Sequence, residues 1–258
     1  MMMRFLLSLY SLVCVATLCG SPALPLGPHR LTGFAEADYI KRSREGGTQQ
    51  KGTLVGFGAD YERLKSFGFY LFGEIYEVLG TLKGSTGDEI EIKSRFNSKN
   101  TFGRLGWSLS LCNVTCVPFL GGGYASTVNR FINPSPLPIS MKIHYPYALW
   151  GLKIEWQKSE GVHFFTSLQL EHPFEPKCTI DNDPDYFITH QTIKKKVQTD
   201  FQIGIRWQNI SCLPFNFSAE TAFLYRHNRF GKHDNYPFNF LETTHKILGL
   251  RVQGSILF

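Results

Sequence analysis

The chain has 258 residues and a formal net charge of +6. Aromatics make up 14% of it (22 Phe, 11 Tyr, 4 Trp) and charged residues only 19%. That length suits one barrel or sandwich domain rather than two, and no Pro/Gly/Ser-rich stretch marks a linker. No apolar run reaches the ~20 residues of a membrane-spanning helix, so the aromatic excess needs another home, and lipid-facing strands provide one.

The first 23 residues have the layout of a secretory signal peptide. Arg4 precedes the apolar run Phe5 to Leu18, and small residues follow at Gly20-Ser21-Pro22-Ala23. Residues 1–23 are therefore expected to be removed on export, leaving 24–258 as one domain. Cys14 and Cys19 would leave with them. Cys112, Cys116, Cys178 and Cys212 then remain as candidates for disulfides in an oxidising compartment, with three pairings open.

Nine segments with a two-residue period follow: Thr53 to Arg63, Phe67 to Val78, Thr101 to Leu111, Val117 to Ser126, Ala148 to Trp156, Val162 to Glu171, Val197 to Trp207, Phe215 to Arg226 and His245 to Phe258. Val197 to Trp207 is the clearest, with Val197, Thr199, Phe201, Ile203, Ile205 and Trp207 on one face and Gln198, Asp200, Gln202, Gly204 and Arg206 on the other. Short links at 64–66, 112–116, 158–161 and 208–214 alternate with long ones at about 79–100, 127–146, 173–196 and 227–244. Alternation alone also fits a soluble sandwich or ligand-binding barrel, whereas links sorted short and long fit a membrane barrel. If the chain's last residue lies at the end with the short links, another strand must precede Thr53. His29 to Ile40 is the one candidate, although its alternation is poor. The expectation is an all-β, closed, antiparallel up-and-down transmembrane barrel of ten strands. Eight is the alternative, should that first strand and the one through Gly121-Gly122-Gly123 drop out.

The last strand places Leu248, Leu250, Val252, Ile256 and Phe258 on one face, interrupted by Gly254. An exported chain closing in this way resembles the outer-membrane β-barrels of Gram-negative bacteria. That resemblance implies that Leu250, Val252, Ile256 and Phe258 form the signal read by the barrel-assembly machinery, and that the location is the outer membrane. It also makes outer-membrane lipid and lipopolysaccharide the partners, with Lys194, Lys195, Lys196, Arg226, Arg229 and Lys232 as candidate contacts for lipid phosphates. The envelope cysteines weakly resemble those of chlamydia-like bacteria.

The inward face would carry Asp60, Glu62, Glu74, Arg104, Lys153, Glu155, His163, Glu171, Asp200, Arg206, Glu220, Arg226, His245 and Arg251, with both signs in similar number. In so narrow a barrel they are expected to cancel one another in a plug, or to line a narrow path. His163, Ser167 and Glu171 invite comparison with outer-membrane lipid A deacylases, but four strand residues separate the His and Ser Cα atoms by roughly 13 Å. The rim residues His227, His233, Asp234, Glu242 and His245 invite comparison with omptin proteases without matching a family motif. Asp181-Asn182-Asp183-Pro184-Asp185 lacks the Gly and closing Glu of a calcium loop, and Cys-x-x-x-Cys supplies too few zinc ligands. No metal, cofactor or nucleic acid is implied, and the oligomeric state stays open. The leading expectation is a structural, narrow-pore or surface-interaction barrel. The alternatives are an outer-membrane hydrolase acting on lipopolysaccharide or protein, and a soluble exported barrel binding an apolar ligand.

Overall fold

The computed structural model describes residues 29–185, 187–208, 216–235 and 239–258. The expected signal segment and Cys212 lie outside these residues. Twelve strands are described: β1 (His29–Arg44), β2 (Gln49–Arg63), β3 (Phe67–Ser85), β4 (Glu91–Leu111), β5 (Val114–Ile132), β6 (Ser140–Ser159), β7 (Val162–Pro173), β8 (Lys177–Asp183), β9 (Phe187–Thr192), β10 (Gln198–Gln208), β11 (Phe217–Phe230) and β12 (Thr243–Leu257). Ten of them form the wall, each antiparallel to the next in chain order, and β12 pairs back onto β1 from Arg30↔Leu257 to Arg44↔Thr243. The ring has no free edge. β8 and β9 form a hairpin that adds to β6 at Ser140–His144.

The first strand alternates as cleanly as any other. Arg30, Thr32, Phe34, Glu36, Asp38, Ile40 and Arg42 point inward, and Leu31, Gly33, Ala35, Ala37 and Tyr39 point outward. Its period is faint in the sequence because Gly and Ala carry its outward face while Phe34 and Ile40 lie on the inward one. The Gly-rich segment Val117 to Ser126 is likewise a full wall strand, so the count is ten and not eight.

The expected long links are mostly strand. β3 to β6 run for 19 to 21 residues, about twice what a tilted membrane strand needs. The turns between them shrink to 86–90 and 133–139. Periodicity stops short of these ends because the outward residues there are polar: Thr81, Lys83, Lys93, Arg95, Asn97 and Lys99. β3 to β6, with the β8–β9 hairpin, thus form a tall wall segment at the end away from the chain terminus, called here the far end.

Outside, Leu31, Val55, Phe57, Ile75, Leu105, Leu120, Leu152, Leu168, Ile203, Phe223, Leu250 and Val252 form a continuous apolar band, each of them 41–65% exposed. Phe67, Phe69, Trp107, Trp156 and Trp207 edge the band at the closing end, where Phe258 and His29 exchange two backbone hydrogen bonds (3.0 and 3.2 Å) and stack their rings at 5.7 Å. The Phe217 ring fills the gap at Gly254, since a Cβ there would lie 2.9 Å from its Cζ. At Pro118 the β4–β5 ladder skips two pairs, because proline has no amide to donate.

Candidate functional site

The inward residues converge in the lumen. Near the closing end, six side chains form a closed ring of alternating charge. Arg30 donates to Glu62 (2.5 Å), Lys153 bonds Glu62 and approaches Glu155 (3.7 Å), Arg206 donates to Glu155 and Glu220 (2.7 Å each), and Arg30 reaches Glu220 (3.3 Å). All six are at most 7% exposed. β1, β2, β6, β10 and β11 supply them, so the ring braces the barrel across its lumen. Tyr70 donates to Glu62 as its third partner (3.1 Å), and His163 Nδ1 lies 3.3 Å from Glu155. Each buried charge has opposite partners on two sides, the condition under which burying it is tolerable.

A second cluster lies one layer further in. Arg226 forks onto both oxygens of Glu36 (3.0 Å each) and reaches Asp38 (3.2 Å), and Arg251 joins Glu36 to Glu74 (2.9 Å each). Close approach is built into the backbone here, because a Cβ at Gly249 would sit 1.9 Å from the Asp38 carboxylate and one at Gly56 2.6 Å from Glu36. Arg104 takes another solution. Its guanidinium lies 4.6–4.9 Å from the rings of Phe72, Phe102 and Phe119 and donates to Gln169 (2.8 Å).

Toward the far end the lumen becomes largely apolar, with a buried polar group beyond its core, in which Arg42 donates to Gln50 (2.7 Å) and Gln50 to Ser94 (2.8 Å). Ile40, Leu54, Val78, Leu82, Phe96 and Ile247 pack together, beside a larger cluster that includes Tyr145, Tyr147, Leu149, Phe230 and Phe240. His245 is wedged between Phe230 and Phe96, with ring centroids 5.4 and 5.9 Å away. The hollow between the ionic layers, bordered by Arg30, Asp60, Glu62, Lys153, Arg206 and Glu220, holds about 30 Å³, room for one or two waters.

Thirteen of the fourteen expected lumen residues are buried, and Asp200 is partly so. Arg30, Glu36, Asp38 and Arg42 also point inward, without a periodic signal in the sequence because β1 has Gly and Ala on its outward face. His163 is held by Glu155, not Ser167. At the rim, Glu242 pairs with Arg229 (3.1 Å) and Lys196 (3.7 Å). The hydrogen bond from Arg229 holds its carboxyl below the usual range. His233 meets the backbone oxygen of Asp234 (2.8 Å) and His227 tilts against Tyr225, so among the described residues no rim histidine contacts a carboxylate.

The expected lipid-phosphate set needs a correction. Arg226 points into the lumen and is spent on Glu36, because the β11 period turns it inward. Lys196 and Arg229 share Glu242, Lys195 lies over Phe174 (5.8 Å), Lys194 makes a backbone bridge to Gly231, and Lys232 is exposed. Leu250, Val252 and Ile256 face outward in the apolar band. Cys178 is opposite Ile143 on β6 and Cys116 opposite Ile154, so roughly 35 Å of strand separates them. Burial pushes the Cys178 thiol up to about 12.

No protein-family model matches the chain, and no curated protein matches it. Solved structures do match. The outer membrane protease OmpT from Escherichia coli superposes with a TM-score of 0.55 at 9% identity, over 93% of this chain and 99% of that one. The translocator domain of the autotransporter NalP from Neisseria meningitidis superposes at 0.50 and 8% identity, over 99% and 96%. The chain has the fold of the Gram-negative outer-membrane β-barrels.

Proposed function

We propose that this protein is an outer-membrane barrel whose lumen is closed, serving as a structural and surface-presenting element instead of a conduit. One observation carries the reading: the six-membered ring of buried ion pairs that spans the lumen beneath an apolar core. An open channel keeps its charges hydrated, whereas these are desolvated and neutralised by one another. The tall wall at the far end would then stand in the medium, with short periplasmic turns at the closing end, as outer-membrane barrels are oriented. The expected signal peptide accounts for export. The Leu250, Val252, Ile256 and Phe258 face would serve the assembly machinery, since Phe258 also completes the ladder against His29.

The test is reconstitution. The mature protein should fractionate with the outer membrane and run faster unheated than boiled, and liposomes containing it should retain small sugars as well as protein-free liposomes do. Sugar efflux well above that baseline would establish the narrow-pore reading in its place.

A further inference from the structure

Just above the apolar band the outward face carries a row of cations in strict register. Lys246 on β12 is directly opposite Lys41 on β1, Lys41 opposite Lys51 on β2, Lys51 opposite Lys83 on β3, and Lys83 opposite Lys93 on β4. His227 on β11 continues the row beyond Lys246. Neighbouring strands are about 5 Å apart, so five ammonium groups occupy one side of the barrel within roughly 20 Å. Like charges directly opposite one another are destabilising, and among the described residues none of the five forms an ion pair. Nearby cations are treated differently: Lys99 pairs with Glu77 (3.4 Å) on the same outer surface, and Lys196 and Arg229 with Glu242. Glu91 sits two positions beyond Lys93, at the far edge of the row.

Beside the middle of the row lies a hollow of about 340 Å³, bordered by Tyr39, Lys41, Gln49, Lys51, Lys83 and Ser85. Directly below it, Leu248, Leu250, Val55 and Phe57 are exposed in the apolar band. A ligand here meets several positive charges and hydroxyl and amide groups at the level of a headgroup, and hydrocarbon-compatible side chains beneath.

We infer that the Lys246–Lys41–Lys51–Lys83–Lys93 row is a binding site for an amphipathic polyanion, the phosphorylated headgroup of an outer-leaflet lipid with its acyl chains against the band below. The inference rests on the membrane reading above. Phosphate groups satisfy lysines as point charges, and a headgroup carrying more than one phosphate matches the length of the row.

The experiment follows the temperature at which the purified, folded protein loses its fast-migrating gel form. Mixed micelles carry diphosphoryl lipid A, the same lipid without phosphates, or inorganic phosphate at equal phosphorus. The diphosphoryl lipid should raise the midpoint, and the other two should not. A Lys41→Gln/Lys51→Gln/Lys83→Gln variant should need about tenfold or more lipid for half of the rise, while Arg130→Gln/Lys142→Gln, a loss of outward charge elsewhere, should behave as wild type. An equal response in the two variants, or to the phosphate-free lipid, overturns the site. An effect of inorganic phosphate alone would make it a free-anion site and likewise overturn the lipid assignment. Wild-type protein that is heat-modifiable yet indifferent to diphosphoryl lipid refutes the site and spares the barrel, whereas protein with no heat-modifiable form refutes both.

Discussion

The two halves of the lumen are filled by opposite chemistry. Near the closing end, Arg30, Glu62, Lys153, Glu155, Arg206 and Glu220 hold the walls together by charge. Toward the far end, Ile40, Leu54, Val78, Leu82, Phe96 and Ile247 do so by packing. The ionic half sits within the height of the apolar band, where an unpaired charge has nowhere to go. The apolar half starts at the upper edge of the band, where Leu54 and Ile247 adjoin the exposed Val55 and Leu248, and extends to where Thr81, Lys83, Arg95 and Asn97 make the outer surface around Leu82 and Phe96 polar, so a soluble-protein core forms there inside polar strands. Closure by charge is intolerant of chemical change and closure by packing is intolerant of volume change.

The largest expected effect tests that contrast directly. Glu62→Gln conserves shape and leaves Arg30 and Lys153 short of a partner. It should cost about 3–5 kcal/mol in reversible unfolding from lipid or micelles, and a double-mutant cycle with Lys153→Met should reveal a coupling of about 1–3 kcal/mol. In the other half, Leu54→Ala should cost about 2–5 kcal/mol by opening a cavity, whereas Leu54→Met, nearly equal in volume, should cost less than about 1.5 kcal/mol. If Glu62→Gln proved as mild as Leu54→Met, the distinction between the halves would collapse.

On the outer surface, Ile203 is 50% exposed in the middle of the band, and Ile203→Arg should cost about 2–4 kcal/mol in a bilayer. Equal stability of both proteins in lipid would mean that this face does not meet hydrocarbon. The smallest effect belongs to the exposed rim. Glu242→Gln should change stability by less than about 1 kcal/mol. Because Arg229 lowers the Glu242 pKa, that contribution is present above the ordinary carboxylate range and fades as pH falls through the lowered value. Unfolding midpoints of the two proteins should therefore converge in acid.

Much of this was legible in the sequence. The period of Val197 to Trp207 identifies Arg206 as inward and Ile203 as outward, and the sorting of short and long links points to a barrel with its turns segregated. Three things were hidden. β1 carries its inward charges opposite Gly and Ala, so hydropathy shows no contrast at Glu36 and Asp38. The tall ends of β3 to β6 have a polar outer face, and Leu82, Ile92 and Phe96 then read as scattered loop hydrophobics. Partner choice depends on distances across the lumen: nothing local says that Lys153 meets Glu62, 91 positions away, or that Arg226, which the β11 period turns inward, meets Glu36. The lysine row is visible only once register is known, since its members come from five strands.

The central claim, a lumen sealed by charge at one end and by packing at the other, is tested most directly by the conductance of the purified wild-type barrel in a planar lipid bilayer. The account predicts no steady unitary conductance in molar KCl, with openings emerging only when the ring is broken, as in Glu62→Gln/Glu220→Gln. Stable, long-lived ion-conducting steps from the wild-type protein would contradict it.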